Sequence, residues 1–436
     1  MSEGTDAIAT TVTPPATRQL GRWQRAFVIM VAVVLAFMLV GPIAFPPGVD
    51  NAHYVYLAGN MVQGRLSVDD IPTNYPDVVT WEGHKYLPLG PLPAVLLIPF
   101  LPLLLLGVRL VWIGYLFTAL NVWLFYKVLG QAGVTGERRL WALLLFFAST
   151  GYLAVAVVGS SYFFAHITTV TFILAAIWET LGRRRPLVIG VLLGLAGMIR
   201  LTALFCLPFF LWLLWRSDGK SEADSTQSEG ANSYSVRSTD YAIKIALLFL
   251  GVAGPILLIG VYNYLRFGNL LESGYNLATL TMPALSEARS YGLFSLVHIP
   301  KNLVMMIFQG PFPYPNADAP ILLFPYLRPS PWGMGLLYTS PALLYAFRAS
   351  LKNRLNQACL LGTLFGMLPI ITYYGVGWIQ FGFRYALDFL PFVLLLAARG
   401  FPDPMSRLSR ILVLVGTAVC IWGSTFLLIW IFTIVP

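Results

Sequence analysis

The sequence predicts an all-α polytopic membrane protein. It is 57% hydrophobic and only 11% charged, with a mean hydropathy of +0.73, whereas a soluble domain carries about 25% charged residues. Apolar runs of ~20 residues recur along the chain, the length an α-helix needs to cross a bilayer, and they point to helices rather than a barrel. The net charge of +9 matches Lys and Arg gathered beside membrane spans and gives no reason to expect a nucleic-acid partner. Cys206, Cys359 and Cys420 all lie in apolar runs, so neither a disulfide framework nor a metal cluster is expected.

Residues 1–24 read as a disordered cytoplasmic amino terminus, Thr/Ala/Pro-rich and then basic at Arg18 and Arg22, and residues 25–436 as a single transmembrane domain. A first span over 25–45 starts inside, next to Arg25. The external loop 46–109 then holds Asp50, Asp69, Asp70, Asp77 and Glu82, five of only 19 acids. Within this loop, 52–62 predicts a short interfacial helix carrying His53 and Tyr54. The run 92–106 contains Pro93, Pro99 and Pro102. It is too short and too broken for an ordinary span, so it is placed along the interface.

Further spans are expected over 110–128, 140–158, 163–181, 187–199, 201–215, 241–265, 333–347, 355–373, 385–398 and 411–435, about eleven with the first. This arrangement puts about nineteen of the 28 Lys and Arg inside, as the positive-inside rule asks, with the carboxyl terminus outside. Residues 217–240, rich in Ser and acids, read as a disordered cytoplasmic loop, and 266–332 as a second external segment. No soluble domain of about a hundred residues remains, so any chemistry falls to side chains at the outer face.

Several polar residues collect there, each with a structural and a functional reading. Asp50 caps the helix that follows, or acts as a general base on an acceptor hydroxyl, with His53 a turn along the same face. Arg200 interrupts the apolar run 187–215 at the apex of a tight hairpin. There it snorkels to phospholipid or binds the phosphate of a lipid-linked donor. Arg266 and Glu272 flank a span exit among aromatics, as a local ion pair or as part of a site. Arg384 and Asp388, four apart and with Tyr385 between them, pair with each other on one helix face or serve the site. His166 ends a helix as a hydrogen-bonding residue or polarises a phosphate. The chain lacks a Gly-rich phosphate loop with Lys, a His-Glu-x-x-His pair and a Gly-x-Ser-x-Gly elbow.

In order, Asp50, the entry Tyr86-Leu87-Pro88-Leu89-Gly90-Pro91-Leu92-Pro93, the segment Gly194-Leu195-Ala196-Gly197-Met198-Ile199-Arg200, the stretch Gly335–Pro341 and the segment Phe381–Tyr385 resemble the GT-C-type membrane glycosyltransferases. That broad group contains the protein O-mannosyltransferases and the lipid A aminoarabinose transferases. The resemblance implies transfer of a sugar from a polyprenyl-phosphate donor to a lipid, glycan or protein acceptor at the non-cytoplasmic face of the cell membrane. It implies Asp50 as the base, with Arg200 and Arg384 on the leaving phosphate. His53, His166, Arg266 and Tyr385 are further candidates for substrate contacts, and Glu272 and Asp388 for supporting roles. Where many relatives carry a second acid this chain has His166, so a divalent metal is not supported and no cofactor is assigned. The competing reading is a lipid or glycolipid transporter, or an envelope-assembly protein, without catalysis.

Overall fold

The structure, a computed structural model, describes residues 21–44, 52–72, 75, 77–215, 231–278, 282–316 and 319–434, of which 231–240 and 432–434 are described as backbone only. Asp50 lies outside the described residues.

The chain is built of helices joined by two small hairpins. In order these are α1 (Arg22–Ala44), α2 (His53–Val62), β1 (Val79–Trp81), β2 (His84–Tyr86), α3 (Leu92–Leu97), α4 (Leu101–Leu105), α5 (Leu110–Gln131), α6 (Gly136–Ala148), α7 (Tyr152–Val158), α8 (Ser161–Leu181), α9 (Pro186–Ile199), α10 (Leu207–Trp215) and α11 (Ala231–Phe267). They continue through α12 (Pro283–Ser290), α13 (Ile299–Leu303), β3 (Phe312–Pro315), β4 (Leu322–Arg328), α14 (Leu336–Thr339), α15 (Arg354–Thr372), α16 (Leu390–Gly400) and α17 (Arg407–Ile434). Both strand pairs are antiparallel.

Six described helices are long and apolar enough to cross a membrane: α1, α5, α8, α11 from Tyr241, α15 and α17. The pair α6–α7, bent by 55°, makes a possible seventh. The eleven spans expected from the sequence are therefore not matched by eleven long helices. The difference lies in runs whose composition is apolar enough but whose helices are short. α9 has 14 residues, about 21 Å at 1.5 Å per residue, against a hydrocarbon core of ~30 Å. Segment 333–347 is four residues of α-helix followed by a 3-10 helix over Pro341–Arg348, and 385–398 begins as a 3-10 turn over Arg384–Asp388. The run 92–106 is likewise a short broken helix, with its breaks around Pro99 and Pro102.

The core is a continuous apolar mass centred on α6, α7, α8 and α16, with α7 buried along its whole length. α8, with 16 of its 21 residues buried, is the central pillar. α9 packs against α11 at backbone contact: a Cβ on Gly190 would sit 2.1 Å from the Leu248 carbonyl oxygen, and one on Gly251 2.4 Å from that of Leu187. Small residues spaced four apart, Gly190 and Gly194, let membrane helices approach this closely. The tight seam fixes where the ends of α9 and α11 emerge.

A polar clip closes the first long loop on itself. Asp69 accepts from the Lys85 amide at 2.7 Å, from Ser67 at 2.7 Å, and lies 3.0 Å from His84 Nδ1. Desolvation pushes its carboxyl up, but these partners outweigh it and hold it at about 2. A carboxyl lowered on folding stabilises above its ordinary range near 3.9 and loses that contribution as pH falls through its folded value. We therefore expect Asp69→Asn to speed hydrogen exchange at the Lys85 amide at neutral pH. Wild type should show the same loosening only as the pH drops from about 4 towards 2. Unchanged exchange in the variant would show that the clip does not hold the loop.

Candidate functional site

The short helix α9 ends where Arg200 leaves helical geometry, at φ −142° and ψ 108°. The chain then restarts as a 3-10 helix over Leu201–Cys206 and continues as α10. Proline at the start of α10 and the polar pair Arg200-Thr202 account for the break, since neither side chain is at home in an apolar helix interior. The turned-out Arg200 meets Asp388, 188 residues further on, through Nε at 2.9 and 3.1 Å to the two carboxylate oxygens. Thr202 donates to the same carboxylate at 2.5 Å. The Asp388 side chain is fully buried and that of Arg200 is 20% exposed. Asp388 thus pairs with Arg200 rather than with Arg384, its neighbour one helical turn away. The turn Arg384–Asp388 is a 3-10 helix, so four-residue spacing no longer brings the two side chains together.

Arg384 is left without an acidic partner among the described residues. It is buried, donates Nη1 to the Trp378 carbonyl at 3.1 Å, and has an Nε with no hydrogen-bond partner. The chain reaches it through Gly382, at φ 70°, where a Cβ would press to 2.9 Å on the Gly151 Cα. Only glycine accepts that conformation without strain. Tyr385 sits between the two arginines: the guanidinium carbons of Arg200 and Arg384 are 5.0 and 5.3 Å from its ring. Their charges therefore lie no more than about 10 Å apart. His166, from the first turns of α8, completes the group with its ring 5.9 Å from that of Tyr385. Both of its ring nitrogens are buried without a protein partner, and both arginine charges reach it.

The wall beside this group comes from the first loop. His53 is buried at the start of α2, with Nδ1 2.7 Å from the Ser161 hydroxyl and its ring 4.7 Å from that of Tyr75. The Tyr75 hydroxyl accepts from the Ala52 amide at 2.8 Å, which anchors the chain two residues past Asp50. Tyr162 donates to Asp77 at 2.5 Å. Tyr54 packs with Ala165, Met198 and Ile199 in one apolar cluster, and burial pushes its phenol up, opposed by the charge of Arg200. Tyr275, 42% exposed, lies within electrostatic reach of Tyr385, Arg200 and Asp77. Loop 87–91 docks on the end of α9 because Gly90 has no side chain; a Cβ there would meet the Met198 carbonyl oxygen at 2.2 Å.

The structure thus brings His53, His166, Arg200, Arg384, Tyr385 and Asp388 to one end of the helix bundle. Arg266 and Glu272 are hydrogen-bonded to other partners. Arg266 donates to the carbonyls of Leu87 at 2.7 Å and Tyr262 at 3.4 Å and to Asn263 at 2.9 Å, so its donors tie the loop to α11. Glu272 accepts from the Gly274 amide at 2.7 Å and from Asn276 at 3.3 Å, closing its own turn. Among the described residues no three of His, Cys, Asp and Glu come together as a metal-ligand group.

Two solved structures of the Archaeoglobus fulgidus oligosaccharyltransferase resemble this chain. The apo form matches at a TM-score of 0.49 and 11% identity, over 94% of this chain and 56% of that one. The second, in complex with an inhibitory peptide and a dolichol-phosphate, matches at 0.44 and 14%, over 92% of this chain and 55% of that one. The chain therefore spans little more than half the length of these proteins. No family model matches it, and no curated protein matches it in sequence. With both TM-scores below 0.5, the functional reading rests on this chain's own residues.

Sequence reasoning did not single out Thr202, Ser161, Tyr75, Tyr162 or Tyr275. A signal was present for the tyrosines in the abundance of 21 in the chain, but tyrosine at a membrane interface is common enough to hide a site. The buried pair yields a test. Asp388→Asn should strip Arg200 of its counter-charge and cost about 3–5 kcal/mol of stability, read as a lowered thermal midpoint in detergent. An unchanged midpoint would mean that Arg200 is compensated by another group.

Proposed function

We propose that the chain transfers a sugar from a polyprenyl-phosphate-linked donor to an acceptor at the non-cytoplasmic face of the membrane. The observation that supports this most is that Arg384, a buried guanidinium with no acidic partner among the described residues, and His166, whose two ring nitrogens are also unpartnered, both lie against the Tyr385 ring. Leaving such groups unsatisfied is costly. A phosphate beside them accepts from both and meets the fixed positive charges of Arg384 and Arg200.

The reaction is a single displacement. An acceptor hydroxyl attacks the sugar's anomeric carbon, the bond from that carbon to the phosphate oxygen breaks, and the proton passes to the Asp50 carboxylate. Charge grows on the departing phosphate, and cations held in place before the reaction stabilise it. Arg384 supplies one such cation through its Nε. Arg200, bound to Asp388 through Nε only, has terminal nitrogens available for a second contact. In this reading Asp388 and Thr202 position Arg200, and His53 with Ser161 and Tyr75 positions the chain that leads back to Asp50. The donor's tail lies in the bilayer beside the short helices, and the acceptor is a lipid, a glycan or a protein. The divalent metal has no assigned ligands in this scheme.

Asp50→Asn should lower transfer by ~10²–10⁴-fold, the usual worth of a general base, while binding of the donor is retained. Arg384→Gln should instead weaken donor binding by roughly tenfold or more, the loss of a charged hydrogen bond. The readout is release of free polyprenyl phosphate from a panel of polyprenyl-phosphate sugars incubated with purified protein. Net movement of intact donor across liposomes without carrier release would favour a transporter and sink the enzyme reading.

A further inference from the structure

A second cationic pocket lies at the other end of the bundle. α15 ends next to Tyr373 and α16 begins just after Asp388, beside the candidate site at one end. At the other end they flank a cavity of about 360 Å³, within the range of small-molecule sites, ~300–1,000 Å³. α15 alone, with 19 residues, separates the two by about 28 Å. The cavity is lined by Arg138 from the first turn of α6, Arg348 from the end of the 3-10 helix Pro341–Arg348, and Arg399 from the last turn of α16. Ser350, Asn353 and Asn356 complete its polar wall.

Three guanidinium groups converge here against little negative charge. Arg138 donates Nη2 to Asp403 at 2.9 Å, but that carboxylate is 67% exposed and outside the lining, and the Arg138 Nε is buried without a partner. Arg399 is held by Asn356 Oδ1 at 2.5 Å and by the Ala132 carbonyl, with no carboxylate partner among the described residues. The charge of Arg138 acts on it directly. Arg348, exposed, lies over the Tyr345 ring with its guanidinium carbon 5.7 Å from the ring centre. α15 also begins here, with the Asn353 side chain capping the Leu355 amide at 3.0 Å, so the positive end of its dipole faces the same cavity.

We propose that this pocket binds a phosphate group. Arginines in a concave site repel one another, and a small anion with several acceptor oxygens relieves that repulsion while satisfying their planar donors. The orphaned Arg138 Nε is the donor such an oxygen would take. The same chemistry is offered by an anionic lipid headgroup at the membrane edge, where basic pockets between helices collect such lipids, and by a soluble phosphate.

The test uses the full chain in phosphatidylcholine nanodiscs, titrated calorimetrically with inorganic phosphate against chloride at matched ionic strength. A second arm follows the thermal midpoint as phosphatidylglycerol replaces part of the phosphatidylcholine. Saturable phosphate binding identifies a soluble ligand, and a raised midpoint with phosphatidylglycerol alone identifies a lipid. In either case Arg348→Gln should weaken the effect roughly tenfold. That residue is exposed and makes no hydrogen bond among the described residues, so the variant should fold normally, as its midpoint in pure phosphatidylcholine will show. No response to either anion, or a response that Arg348→Gln leaves unchanged, overturns the proposal.

Discussion

The contact between Arg200 and Asp388 organises the candidate site. A fully buried carboxylate has to be paired, because desolvating a lone charge costs several kcal/mol. The partner it finds comes from the break between two short helices 188 residues earlier. Once that pair forms, the end of α9 is fixed to the turn that opens α16, and Tyr385 is trapped between two guanidinium groups. The same pairing leaves Arg384 without an acid. Charge compensation in one place thus creates an uncompensated cation next to it.

The bundle serves this arrangement through close packing rather than through length. The glycine seam between α9 and α11 and the contact of Gly90 with the end of α9 place α2, loop 87–91 and Arg200 around the same few ångströms. Arg266, a candidate substrate contact on sequence grounds, donates to the Leu87 carbonyl of this loop and to Tyr262 and Asn263 of its own helix. Its place in the fold is that of a staple. Cationic side chains at the two ends of the bundle therefore differ in kind. Some are consumed by backbone carbonyls, and some, such as Arg384 and Arg348, keep donors to spare.

Much of this was legible in the residues. Scarce charge and repeated apolar runs determined an α-helical membrane protein, and the interruption of the run 187–215 by Arg200 marked a helix break that the structure contains. The sharing of one end of the molecule by His53, His166, Arg200, Arg384 and Asp388 followed from topology reasoning, because helices alternate direction and polar residues gather where they turn. The number of long helices among the described residues falls below the number of apolar runs because hydropathy measures apolar composition and is blind to where a helix stops. Short apolar helices such as α9 and α16 satisfy the first and fall short in length.

What the sequence could not decide was who pairs with whom. Asp388 is four residues from Arg384, and helical spacing joins them. The chain there winds as a 3-10 turn, and tertiary packing delivers Arg200 instead. The tyrosine wall of Tyr54, Tyr75, Tyr162 and Tyr275 was equally hidden, since each is an ordinary interfacial residue until folding gathers them. The sequence by itself determined the solvent in which the protein lives and which polar residues must be accounted for. Only the tertiary structure decided which of those charges are neutralised and which are left for a ligand, because pairing is set by distances across the chain rather than along it.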